Sequence, residues 1–312
     1  MFGTGFTSGL NSAVVKTELD DVFYQQFNAA QHPNDASVET VQIFKQDTAD
    51  SSAVILEIFK GVGSFESRNE EQDVPSASPR INNKKTVSIV DYDKVVYVPK
   101  MFFDDNKHGS YEAMITNFGR RARTTKNRDG FGVLRGSHAT YQTADAAYII
   151  SDAHTALSGD TIDNKLTGVL DDSSLEDGIQ KLYEQEAQDG EIDGHLAETL
   201  VVPAALYPDA VELTGSLGQV NTMDNNLNVF SAKYNIFIGT SAYLGAAAGG
   251  SDVFWWLLSE THSLTRWVRE SVWTGLVDFM YDPKNRYQYK GGYRESVACI
   301  SYEGILGSDG TT

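Results

Sequence analysis

Apolar and polar residues recur along this chain with two different periods. From Leu10 the apolar residues Leu10, Val14, Leu19, Val22, Phe23 and Phe27 follow a helical spacing, and His32-Pro33-Asn34-Asp35 closes the run. Val38 to Phe44 and Val54 to Phe59 read as strands, and Thr86 to Val90 and Val95 to Val98 resume the strand pattern. Between them, Gly61 to Asn83 is a long polar loop that carries Glu70-Glu71 and Pro75-Ser76-Ala77-Ser78-Pro79. The stretch 52–99 therefore reads as an extended two-stranded arm with a polar tip. A lone two-stranded ribbon is marginal in water and needs a partner surface. A disordered surface loop is the alternative.

A second helical stripe follows. Tyr111, Met114, Ile115, Phe118 and Ala122 share one face, with Asp104-Asp105 placed to cap its start. The helix runs to about Arg135, interrupted near Gly130-Phe131-Gly132, and would be about 40 Å long at 1.5 Å per residue. Ser173-Ser174 followed by Glu176-Asp177 makes a capping-box pattern, and Leu175, Ile179, Leu182 and Tyr183 form the stripe of a third helix that Gly190 ends.

Leu200 to Val202 is a short apolar run that reads as a buried strand ended by Pro203. Pro208 then suits the first position of a helix, Asp209 and Glu212 put negative charge in its positive first turn, and Gly215 stops it. Asn221 to Asn228 reads as a turn, Val229-Phe230 and Tyr234 to Ile238 as core strands, and Gly245 to Gly250 as a small-residue loop. Val253 to Leu258, Leu264 to Val272, Tyr287 to Lys290 and Ser296 to Tyr302 are further strands. There is no regular βαβ alternation and no 20–50-residue repeat, so the expected class is α+β.

Charge sharpens this outline. The chain has 312 residues, 25 Lys and Arg against 43 Asp and Glu, and a net charge of −18. Such a balance disfavours a direct grip on phosphate backbones. Between Asn106 and Gly136, however, seven Lys/Arg stand against two acids, whereas Asp171 to Asp193 holds nine acids and one Lys. Each block is either a solvated helix face or a contact for the opposite charge on a neighbour.

The search for chemistry finds no constellation. Six His are scattered without metal-ligand spacing, there is no GxSxG elbow or P-loop, and Gly130-Phe131-Gly132 followed by Gly136 fails the dinucleotide pattern. Asp152 with His154 has no nucleophile nearby, and Asp171-Asp172 reads as a helix cap. Cys299, the one cysteine, reads as a small buried strand residue and excludes an intramolecular disulfide. The densest apolar stretch, Val253 to Leu258, is far shorter than the roughly 20 residues that span a bilayer. Met1 to Leu10 lacks the features of a secretory signal, so an intracellular product is expected. The 15 Tyr, 15 Phe and 4 Trp suit large contact surfaces.

The order of the pieces resembles the major capsid proteins of tailed bacteriophages with the Hong Kong 97-type fold, nearest the Mu-like major head subunit branch. Four stretches carry the likeness. They are the polar ribbon at 52–99 leading through Met101-Phe102-Phe103-Asp104-Asp105 into the Arg-rich helix; Ser151-Asp152-Ala153-His154 running to Asn164-Lys165-Leu166-Thr167-Gly168; the acidic helix before Leu200-Val201-Val202-Pro203-Ala204-Ala205-Leu206; and Phe254-Trp255-Trp256-Leu257 with Asp278 to Pro283 and Arg286 to Gly292.

The resemblance implies a layout. It comprises an N-terminal arm at 1–50, an extended loop at 51–90, a peripheral domain at 91–171 with its spine helix at 105–136, an axial domain at 172–280, and a return to the peripheral domain at 281–312. It implies pentamers and hexamers closing into an icosahedral shell around double-stranded DNA, with a portal protein and possible separate scaffold and decoration proteins. It implies no cofactor, no metal, no catalytic residue and no membrane. Assembly would take place in the host bacterial cytoplasm.

Candidate inter-subunit contacts are Arg120, Arg121, Arg123 and Lys126 on the helix and Glu70 and Glu71 on the loop. No long charged prodomain precedes the arm, so a scaffold is expected to be a separate protein or absent. Lys60, Lys84 and Lys85 lie on the loop, where ribbon lysines ordinarily solubilise an edge. Competing readings are another phage structural protein of tail or baseplate, and an acidic hydrolase or carbohydrate-binding module with Trp255, Trp256, Trp267 and Trp273 as its stacking platform.

Overall fold

The computed structural model describes residues 12–29, 43–59, 61, 67–68, 73, 81–101, 105, 108–215, 230 and 236–311. Helix α1 (Ser12–Phe27) buries Val15, Leu19, Phe23 and Phe27. The expected stripe used Val14, which is 48% exposed. Residues four apart stack on one helix face, and the row from Phe27 back through Leu19 reaches Val15.

Strands β1 (Lys45–Thr48), β2 (Ala53–Phe59), β3 (Ile81–Ser88) and β4 (Val90–Pro99) follow. Of the strand expected at Val38 to Phe44, residues 38–42 lie outside the described residues, and Ile43 and Phe44 form a buried turn before β1. The ribbon exists: β2 and β3 pair antiparallel, Ala53 opposite Ser88. Its extent differs from the expectation, because β4 leaves it for another sheet, where Val98 is fully buried. Glu70, Glu71 and most of the polar tip lie outside the described residues.

Helix α2 (His108–Arg135) begins later than expected, since the Asp105 N–H donates to the Met101 carbonyl (2.8 Å) and closes a separate turn. It runs unbroken through Gly130-Phe131-Gly132, because Phe131, Val133 and Leu134 are buried there. A Cβ on Gly130 would lie 2.6 Å from the Arg266 guanidinium, so the glycine permits a close approach.

Short strands β5 (His154–Thr155), β6 (Thr161–Ile162) and β7 (Lys165–Leu166) lead to α3 (Asp172–Tyr183). Asp171 caps α3 by accepting from the Ser174 N–H (2.7 Å), in place of the Ser173-Ser174 pattern, and the helix ends seven residues before Gly190. Gly190 instead has a positive φ of 88° in the turn between bridge partners Glu186 and Ile192, a conformation that favours glycine.

Strand β8 (Ala197–Pro203) and α4 (Tyr207–Gly215) follow the expected strand-turn-helix, with Pro208 second in the helix. Phe230 is helical, not strand, and β9 (Phe237–Ser241) starts later than Tyr234. Asn221 to Asn228 lie outside the described residues. The chain ends through β10 (Trp255–Ser259), β11 (Leu264–Val277), β12 (Arg286–Cys299) and β13 (Ile305–Ser308). The two strands expected at Tyr287 to Lys290 and Ser296 to Tyr302 are one, because β12 is laddered along its length between β11 and β4.

Two mixed sheets organise the molecule, ordered β1-β11-β12-β4 and β7-β13-β10-β8-β9. Helices α1 and α2 cover the first, burying Leu19, Phe23, Ile115, Tyr287 and Tyr289 together. Helices α3 and α4 cover one face of the second, over Leu200, Val202, Trp255 and Leu257. The opposite face, carrying Val201, Trp256 and Leu258, packs on Phe131 and Leu134 at the end of α2. Alternate residues of β8 and β10 thus point into two cores, as a strand's period of two requires.

Candidate assembly interface

The strongest electrostatic feature is internal. Arg266 on β11 is fully buried and paired with Glu295 on β12. The Lys126 Nζ of α2 lies 3.8 Å from the other Glu295 oxygen and 5.6 Å over the Phe27 ring. The Arg266 guanidinium also lies 5.5 Å over Phe44. One carboxylate between two cations joins α2 to the sheet.

This divides the expected contact residues. Lys126 faces Glu295 of its own chain, and Arg123 is only 9% exposed. Arg120 and Arg121 are exposed, and among the described residues neither makes an ion pair with the acidic block.

The ribbon is docked rather than free. Val87 and Ile58 are buried, and Val54 and Leu56 pack with Trp267, Ala298 and Ile300. The Lys85 Nζ donates to the carbonyls of Gln142 and, at 2.8 Å, Cys299. Burial lowers the pKa of this ammonium, against the opposing pull of Cys299 and Asp145. Lys85 is therefore a strut, whereas Lys84 pairs across the ribbon with Glu57 (2.6 Å) and behaves as an edge lysine. Sequence reading missed Lys85 because a lysine on a strand gives no local sign that distant carbonyls await it.

Asp145 and His154 form a second buried pair at 2.8 Å. Thr143 and the Thr155 N–H also donate to Asp145. Burial alone would raise this carboxyl; the hydrogen bonds from His154 and Thr143 outweigh it and bring its pKa down to about 2. The cluster fixes the turn around Ala146, which has a positive φ of 66°. Asp152, the partner considered from sequence, is exposed.

Among the described residues no group of three His, Cys, Asp or Glu is placed to hold a metal ion. Cys299 is buried in β12, and burial pushes its thiol up to about 11. Trp255, Trp256 and Trp267 are buried, which removes three of the four rings from any stacking platform; Trp273 is half-buried. No helix among the described residues is long and apolar enough to cross a membrane.

The acidic block is a surface. Asp171, Asp172, Glu176, Asp177, Glu184, Glu191 and Asp193 are exposed, around the exposed apolar residues Tyr183, Ile192 and Leu196. Its one cation, Lys181, is held by Asp163 (2.6 Å) and the Lys165 carbonyl (2.7 Å).

The model of the family described as phage capsid protein matches residues 84–297. The chain belongs to the phage capsid protein family. No curated protein matches it in sequence. Among solved structures, the virus-like particle of Pyrococcus furiosus is similar at 12% identity and a TM-score of 0.55, over 94% of this chain and 98% of that one. The mature capsid of bacteriophage PhiM1 is similar at 11% identity and 0.52, over 99% and 90%. Microbacterium phage Oxtober96 gives 9% and 0.51, over 90% and 93%. These likenesses show the fold, the Hong Kong 97-type capsid fold in α+β form. The chain's role is structural, that of a tailed-phage major capsid protein, and it resides in the virion.

Proposed function

We propose that this capsid protein assembles as pentamers and hexamers into an icosahedral shell that encloses double-stranded DNA. In this reading a portal protein fills one vertex, and scaffold and decoration proteins, where present, are separate chains. Assembly takes place in the host bacterial cytoplasm, and the subunit has no catalytic activity. The observation that carries the reading is the segregated surface charge on a rigid two-sheet body, with exposed Arg120 and Arg121 and an exposed acidic block at 171–193. A net charge of −18 suits a wall that surrounds DNA without gripping it. Placement in the Mu-like branch belongs to the proposal and rests on the order of sequence motifs.

The domain layout is likewise proposed. The four-stranded sheet with α1 and α2 forms the peripheral part, and the five-stranded sheet with α3 and α4 the axial part. Because β11 lies with β4 and β12, we place the end of the axial part before Leu264 rather than at 280, and return β13 to it. Residues 1–50 and 51–90 keep the roles of arm and extended loop.

The test is to purify the chain alone and examine it by size-exclusion chromatography and negative-stain imaging. Closed shells or rings of five and six are expected. A 34.3 kDa monomer at every concentration, salt and crowding condition would overturn the proposal.

A further inference from the structure

The loop after α2 is tied to the five-stranded sheet by a few hydrogen bonds. The Trp256 indole N–H of β10 donates to the Ser137 hydroxyl (3.0 Å), and the Ile150 N–H donates to the Ser137 carbonyl (3.0 Å). The Tyr141 N–H donates to the Gly136 carbonyl and the Ile149 N–H to the Tyr141 carbonyl, each at 3.0 Å. Ile149, Ile150 and Trp256 share one core with Phe131 and Leu134. His138 sits in this seam. Its ring lies 4.6 Å from the Phe254 ring and 6.3 Å from the Trp256 ring. Both of its nitrogens are buried, and neither has a hydrogen-bond partner among the described residues. Most buried polar atoms in folded proteins are bonded, so two orphans on one ring call for an explanation.

The neighbouring charges leave nothing for an added proton. Asp309, just past β13, and Lys165 on β7 are the charged groups that act on His138, and they pair with each other at 2.7 Å. Arg135, at the end of α2, is turned to the Ala248 carbonyl (2.6 Å). Asp252, before β10, accepts from the Ala246 N–H (2.9 Å). The Phe254 and Trp256 rings attract a cation, but they offer neither N–H an oxygen or nitrogen acceptor. Neutral imidazole therefore suits the seam and imidazolium does not. Burial holds the pKa of His138 down at about 4; Asp309 opposes that shift and Lys165 adds to it. An opened chain, with the ordinary value of 6.5, takes up the proton first. The stability that the neutral ring carries is present above about pH 6.5 and is lost as the pH falls toward 4. Residues 136–150 hold only an isolated bridge, Gln142 to Tyr148, so they can open without either sheet.

We infer that His138 is a proton-operated release in the seam between the end of α2 and the five-stranded sheet: mild acid opens residues 136–150 from β10 while the four-stranded sheet stays closed.

The test compares wild type with His138→Phe, which keeps a ring against Phe254 and takes up no proton. Amide exchange is read by mass spectrometry on both proteins at about pH 7.5 and about pH 5. The wild-type to variant ratio of exchange rates over 136–150 should rise at least tenfold from the higher pH to the lower, and the ratio over β12 should stay constant. Exchange at the imidazole C2 position of wild type, followed against pH, needs no variant and should place the His138 titration well below its ordinary value. A ratio over 136–150 that does not change, a ratio that rises equally over β12, or a His138 that titrates at its ordinary value would overturn the inference.

Discussion

The Lys85 ammonium of the ribbon is bonded to the backbone carbonyl of Cys299 at 2.8 Å, joining residues 214 positions apart. A second bond, to Gln142, makes Lys85 the polar anchor of a strap whose apolar side rests on Trp267 and Ala298. Replacing Lys85 with Met keeps the stem and removes the donor. Loss of charged hydrogen bonds of this kind costs about 1.5–3 kcal/mol each at most, less where water reaches the site. We expect amide exchange across Ala53–Phe59 to accelerate at least tenfold while the helices keep their protection. Unchanged exchange there would show that apolar packing alone holds the ribbon.

The Arg266–Glu295 pair makes an asymmetric prediction. Removing one partner of a buried pair leaves an uncompensated charge and costs about 3–5 kcal/mol, whereas replacing both with apolar residues is often nearly neutral. Glu295→Leu, which takes the carboxylate from both Arg266 and Lys126, should therefore lower the urea midpoint more than Arg266→Met, after which Glu295 still faces Lys126. Gly130→Ala should destabilise through the same site, by about 1–3 kcal/mol as for other overpacked positions, because the new methyl meets the guanidinium.

Asp145 sets an acid limit. Its pKa is about 2 in the folded chain against an ordinary 3.8, so the unfolded chain takes up this proton first. The stabilisation is fully present above about pH 4 and is lost as pH falls toward 2. Asp145→Asn should be less stable than wild type at pH 7 and should lose less further stability between pH 4 and 2. Parallel stability curves over that window, measured by urea unfolding, would rule the cluster out as the source.

Charge reversal tests the outer surface. Arg120→Glu/Arg121→Glu should leave the thermal midpoint nearly unchanged, since both side chains are exposed, and should sharply reduce particle yield. Arg123 is left out because its burial would confound folding with assembly. Wild-type assembly should also weaken as ionic strength rises and the Debye length shortens. Normal yield from the double variant would remove these two arginines from the interface.

The sequence pattern reached the helices and the apolar strands because those signals are local. Leu19, Phe23, Tyr111, Ile115, Phe118, Leu200 and Val201 are buried as their spacing required. The pattern failed where the decision is made at a distance. Gly291-Gly292 resembles a break, yet β12 passes through it because β11 and β4 hold both sides. Gly130 resembles a helix breaker, yet it makes room for an arginine 136 positions later. Lys85 reads as an edge lysine, Lys126 as an inter-subunit contact and Arg266 only as part of a strand, and the folded chain alone reveals the carboxylate and carbonyls that draw them inward. The candidate contact residues divide for the same reason: composition locates the basic helix but not which of its side chains face out.

The five-stranded sheet has a temporal consequence. β13 lies between β7 and β10 rather than at a rim. Synthesis proceeds from the N-terminal end, so β7, β8 and β10 are all made before the strand that joins β7 to β10. The slot between them closes only when Ile305 to Ser308 have left the ribosome, so this core is completed by its latest strand and not by growth at a rim.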